Sequence, residues 1–141
     1  MFKASVFRRA GLLGALPFVA SIAFSNAVNA ADDDVAKVGE QRFMDFCAVC
    51  HGPDAKGGGP FAPMLNKAPT DLTMLAKAND GEFPFNQVYD MIDGRSMPGA
   101  HGTKDMPIWG GEWKRMDAIG AETALRGRIL EIIIYLRSIQ Q

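Results

Sequence analysis

Cys47-Ala48-Val49-Cys50-His51 constrains what this chain can fold into more than any other stretch. Two thiols stand three positions apart and an imidazole follows at once, so about one helical turn presents both sulfurs and a metal-binding nitrogen together. That spacing can be stitched to the two vinyl groups of one haem while the histidine reaches its iron. The rival chemistries each lack something. A structural zinc site needs about four nitrogen or sulfur ligands, and beyond these three only His101 remains. A thioredoxin-like pair sits on a βαβ pattern, and no run of β-branched residues long enough for a buried strand lies near the pentapeptide. A plain disulfide between the two cysteines of an exported chain is compatible with the composition, but it leaves His51 unexplained.

The first 30 residues read as an export signal. Lys3, Arg8 and Arg9 form a basic start, Ala10 to Phe24 is apolar with only Ser21 interrupting, and Val28-Asn29-Ala30 offers small residues for cleavage near Ala30. The apolar run is shorter than the roughly 20 residues a membrane span wants; an uncleaved N-terminal anchor is the alternative. Removing this segment leaves 111 residues, enough for one small domain over residues 31–141. The basic residues fall from 15 to 12 with the loss of Lys3, Arg8 and Arg9, against 16 acids, so the remaining chain is net acidic. No basic stripe exists for a nucleic acid to bind. A domain of this size buries only a modest core, and a covalently held haem would add a large apolar plate to it.

Helical signals dominate the chain after Ala30. Asp32-Asp33-Asp34 precede a helix predicted over Val35 to Phe46, where acids complement the helix dipole. Gly39, Phe43 and Cys47 recur every four residues on one face of it. Gly52 to Asn66 holds Gly57-Gly58-Gly59 with Pro53, Pro60 and Pro63, too many breakers for a helix or a central strand. Pro69-Thr70-Asp71 opens a short helix to about Ala78 with Thr70 as its cap. Phe83 to Ile92 carries Phe85, Val88, Tyr89 and Ile92 at helical spacing, and Gly94 ends it. Residues 95 to 120 read as an irregular segment. The last helix runs from about Ala121 to Ile139, with Leu125, Ile129, Ile132, Leu136 and Ile139 in an apolar stripe that Ile133 and Ile134 widen.

Within the irregular segment Met97, His101 and Met106 are the candidates for a second iron ligand. A methionine thioether opposite a histidine raises a haem's reduction potential. A lone histidine in a glycine-rich loop, by contrast, is more often solvated or hydrogen-bonded than a ligand.

With Cys47, Cys50, His51 and the two Met-Pro pairs in view, the chain after residue 30 resembles the class I cytochromes c, a monohaem bacterial family. The resemblance implies an all-α fold in which N- and C-terminal helices cross and short helices and loops wrap one covalent haem c. It implies that Gly39 and Phe43 let the first helix pass closely over the last, at Ile132 and Tyr135. It implies that a carbonyl in the glycine-proline loop, with Gly59-Pro60 as the candidate, accepts a hydrogen bond from His51 Nδ1. Met106-Pro107-Ile108-Trp109 looks like the family's distal Met-Pro-x-aromatic motif, which makes Met106 the expected second iron ligand, Met97 the second choice, and Trp109 a packing partner of the haem. Such proteins are exported unfolded and receive haem outside the cytoplasm, which favours the general secretory route over the twin-arginine one at which Arg8-Arg9 hints.

The expected function is one-electron transfer in the periplasm between donor and acceptor proteins, without turnover of the chain's own. Two alternatives stay open: a haem subunit of a larger periplasmic dehydrogenase or respiratory complex, and a sensor or peroxidase-like enzyme with an open sixth site. Lys56, Lys67, Lys104 and Lys114 fall in segments expected around the haem and could offer a positive rim for an acidic partner, although scattered solvating lysines are the stronger explanation.

Overall fold

A computed structural model describes residues 22–96, 106–116 and 121–141. These residues contain five α-helices and no strand: α1 Ile22–Phe46, α2 Ala48–His51, α3 Phe85–Asp93, α4 Trp109–Met116 and α5 Ala121–Ser138. Three short 3₁₀ turns, Ala62–Met64, Leu72–Met74 and Lys77–Asn79, punctuate the chain between α2 and α3.

The first helix starts earlier than its acids predict. It runs unbroken from Ile22, so Asp32, Asp33 and Asp34 lie in its interior and not at its cap. Gly39 is where it meets α5. A Cβ on Gly39 would stand 1.9 Å from the carbonyl oxygen of Glu131 and 3.0 Å from Tyr135 Cβ, so the two backbones touch and only hydrogen fits between them. One turn on, Phe43 is fully buried and its ring lies 5.4 Å from that of Tyr135, tilted by 48°. Arg42 and Glu131 close the crossing as a partly exposed ion pair.

The apolar stripe of α5 supplies most of the core. Leu125, Ile129, Ile132 and Ile133 are fully buried, Leu136 nearly so, and Ile139 packs against them half-buried. Ile133 therefore belongs to the interior, while Leu130 faces outward.

The helix α4 departs from the irregular segment expected there. Gly110-Gly111 look like breakers in the sequence, yet Gly110 is needed in the helix: a Cβ there would sit 2.0 Å from Asp93 Oδ1. Helix α3 ends at Gly94, which takes φ +66° and donates its N–H to Asp90 O at 2.8 Å. A Cβ on Gly94 would meet Ile108 at 3.1 Å, so the end of α3 and the start of α4 are pressed together and the ends of the chain from 95 to 107 meet at this junction. Asp93, buried there, is held by Arg95, whose guanidinium also reaches Glu122 at the start of α5 through two bonds of 2.9 Å. The Arg95 hydrogen bonds hold the Asp93 carboxyl below its usual range and bring that of Glu122 down to about 2.

The short helix expected from Pro69 to Ala78 is two separate 3₁₀ turns, and its cap is Asp71, not Thr70. Asp71 Oδ1 accepts from Thr73 N at 2.9 Å and Thr73 Oγ1 at 2.6 Å, which ties the first turn locally and competes with a longer helix.

Gly39→Ala must spread α1 from α5, and it is expected to destabilise the haem-loaded protein by about 1–3 kcal/mol, as overpacked cores do, read as a lower guanidinium midpoint. Glu122 has its folded value depressed from 4.5 to about 2, so the stability it contributes is complete above pH 4.5 and is lost as the pH falls toward 2. Glu122→Gln is expected to flatten that part of the stability-against-pH curve.

Candidate haem-attachment site

The attachment turn is a continuation of α1. Cys47 N donates to Phe43 O at 2.8 Å and His51 N to Cys47 O at 2.9 Å, so helical hydrogen bonding passes through Cys47 into α2. Gly52, at φ +79°, then turns the chain away. Cys47 and Cys50 are half-buried, one turn apart and unbridged, and His51 is half-buried directly after them. Burial pushes the Cys47 thiol up to about 12, with the neighbouring Cys50 adding to the shift, and pushes Cys50 up as well. Both side chains are therefore neutral thiols at physiological pH.

A helix end leaves carbonyls without partners, and the glycine-rich loop supplies the missing donors. Phe61 N donates to Val49 O at 2.8 Å, Gly59 N to Cys50 O at 3.0 Å and Gly57 N to His51 O at 2.7 Å. The loop can run this close because Gly59 has no side chain: a Cβ would lie 2.5 Å from both Val49 O and the Cys50 carbonyl carbon.

The partner of His51 is not the one expected. The resemblance implies a carbonyl of Gly59-Pro60 as the acceptor, but the Gly59 carbonyl accepts from Ala62 N at 2.9 Å and Pro60 is exposed. Nδ1 lies 3.3 Å from the carbonyl of Thr70, 19 residues along the chain. Donation to that carbonyl puts the proton on Nδ1 and leaves the Nε2 lone pair free to bind a metal. Burial pushes the His51 pKa down, with the Thr70 bond acting against that. The neutral, ligating form is favoured.

Met106 is half-buried and packs against the same buried cluster as Cys47. Trp109, at the first position of α4, stacks on Trp113 at 5.2 Å, and Phe46 meets both rings edge-on at 5.5 Å. Sequence reasoning missed Trp113, whose one signal was its place four residues after Trp109. It is fully buried, and its indole Nε1 has no hydrogen-bond partner among the described residues. Leaving such a donor unpaired costs about 1–3 kcal/mol. Met97, His101 and Lys104 lie outside the described residues.

Over residues 36–107 the chain matches the family model for cytochrome c. The chain belongs to the cytochrome c family. No curated protein and no solved structure matches it. The all-helical fold is that of the family, and α4 and α5 lie beyond the matched span. The family's covalent haem c fits the residues present in this cytochrome: two unbridged neutral thiols one turn apart, a histidine whose Nδ1 is already engaged, and a buried indole N–H in want of an acceptor. Cys47 and Cys50 would hold the haem through thioethers, and the group supplies an iron that cycles between ferric and ferrous states. Among the described residues no helix is long and apolar enough to cross a membrane.

If the two thiols carry the haem, Cys47→Ala and Cys50→Ala each leave one thioether, and the double variant leaves none. A haem stain of the denatured chain is expected to persist in each single variant and vanish in the double one.

Proposed function

We propose that this cytochrome is an exported one-electron carrier whose haem iron is ligated by His51 on one side and Met106 on the other. The observation that carries the reading is the His51 Nδ1 bond to Thr70 O, which commits the imidazole to ligation through Nε2. Met106 is favoured over Met97 by its place in the junction: it stands two residues before Ile108, which presses on Gly94, and its own side chain packs on the core. Trp109, three positions after Met106 in the Met-Pro-x-aromatic motif, is locked into the aromatic trio with Phe46 and Trp113. A ligand anchored by the residues that follow it holds its geometry in both oxidation states, which is what transfer with little rearrangement requires.

His51 and Met106 would hold the iron between them, and the chain's residues would then act to hold, orient and exclude water. Cys47 and Phe46 pack against the buried cluster that holds Phe43 and Trp113, and burial of this kind, together with hydrogen bonding at the ligands, tunes the potential. Export is part of the same reading. Cleavage near Ala30 leaves the portion of α1 from Ala31 to Phe46, with Asp32, Asp33 and Asp34 then in its first turn, where acids favour the helix. Periplasmic donor and acceptor proteins are the partners. Lys56 and Lys67 stand exposed after the attachment turn, and Lys114 is partly engaged by Glu122 at 3.8 Å.

The test is the far-red absorption band of a ferric iron–thioether bond. Met106→Ala is expected to abolish it and to open the ferric protein to rapid cyanide binding, whereas Met97→Ala leaves both unchanged. Loss of the band with the Met97 change alone would overturn the assignment.

A further inference from the structure

At 3.3 Å the bond between His51 Nδ1 and Thr70 O lies at the long edge of hydrogen-bond range. A shift of a few tenths of an ångström away from the ring breaks it, so whatever fixes the backbone after Thr70 sets its strength. That backbone cannot fix itself: Leu72–Met74 and Lys77–Asn79 are single 3₁₀ turns, elements that carry little stability of their own. On one side Leu72 N donates to Ala55 O at 2.8 Å. On the other side the anchor is Gln140, in the tail after α5.

The side-chain amide of Gln140 is fully used. Nε2 donates to Leu72 O at 2.8 Å and to Leu136 O at 2.6 Å, and Oε1 accepts from Ala76 N at 2.9 Å. Gln141 N adds a bond to Thr73 O at 3.0 Å. Leu136 belongs to the most deeply buried helix, so these contacts reference the whole 72–76 segment to the rigid core. The Thr70 carbonyl stands two residues before the clamped Leu72.

We propose that Gln140 is a positioning residue for the iron's histidine: by tying residues 72–76 to α5 it holds the Thr70 carbonyl on His51 Nδ1 and thereby sets the reduction potential. The inference rests on the reading of His51 as an axial ligand. A hydrogen bond donated by Nδ1 makes the imidazole a stronger base, and a stronger base favours ferric iron. Slackening the clamp raises the potential.

The experiment uses the haem-loaded protein, first confirmed by its absorption spectrum to hold a histidine-ligated low-spin iron, with Gln140→Ala, Gln140→Glu and, as a control for stability alone, Ile133→Val. Gln140→Glu keeps the acceptor for Ala76 N but loses both donations, so it preserves the shape of the tail. Both Gln140 variants are expected to raise the potential and to speed solvent exchange of the His51 Nδ1 proton in the ferrous state about fivefold, the factor corresponding to one ordinary net hydrogen bond. The Ile133 control is expected to move neither. Gln140 variants that lose stability while potential and exchange stay at wild-type values overturn the proposal. A wild-type spectrum without histidine ligation overturns the ligand reading itself, and the inference with it, before any variant is compared.

Discussion

The contact on which the rest of this structure depends is the crossing of α1 and α5 at Gly39. Backbone meets backbone there, with no room for a methyl group, and the close approach brings Phe43 onto Tyr135. Because hydrogen bonding runs on from α1 through Cys47 into α2, the same contact fixes where the attachment turn begins. The thiols and the histidine are thus positioned by a packing event two to three helical turns earlier in the chain.

Polar satisfaction explains the rest of the site. The end of α2 exposes the carbonyls of Val49, Cys50 and His51, and the glycine loop answers each with an N–H. Burial next to such a well-satisfied backbone keeps the thiols protonated and the imidazole neutral. On the opposite flank, the junction of α3 and α4 is made by two glycines at van der Waals limit and by one arginine shared between Asp93 and Glu122. Both ends of the segment that carries Met97, His101 and Met106 meet at that junction.

Local patterns were legible in the sequence and long-range ones were not. The Cys47-to-His51 turn, the end of α3 at Gly94 and the stripe of α5 each depend on spacing within a few residues, and each is where the spacing puts it. Helix α4 was hidden because Gly110 and Gly111 carry a helix-breaking propensity that tertiary contact overrides: the reason for Gly110 is Asp93, 17 positions away. The same blindness moved the histidine's acceptor from Gly59-Pro60 to Thr70, since glycine content shows that a loop approaches closely but not which carbonyl it turns toward. Asp71 displaced Thr70 as the cap because its carboxylate takes both the amide and the hydroxyl of Thr73. Helix α1 runs unbroken from Ile22, so the acid-rich segment lies in its interior and not at its cap.

If His51 and Met106 of the chain close the iron's coordination sphere, carbon monoxide finds no open position. Ferrous iron with two protein ligands binds the gas slowly or not at all. Exposure of the dithionite-reduced protein to carbon monoxide is predicted to leave its absorption spectrum unchanged over minutes. A prompt shift of the Soret band at low gas concentration would contradict the account and establish an open sixth position.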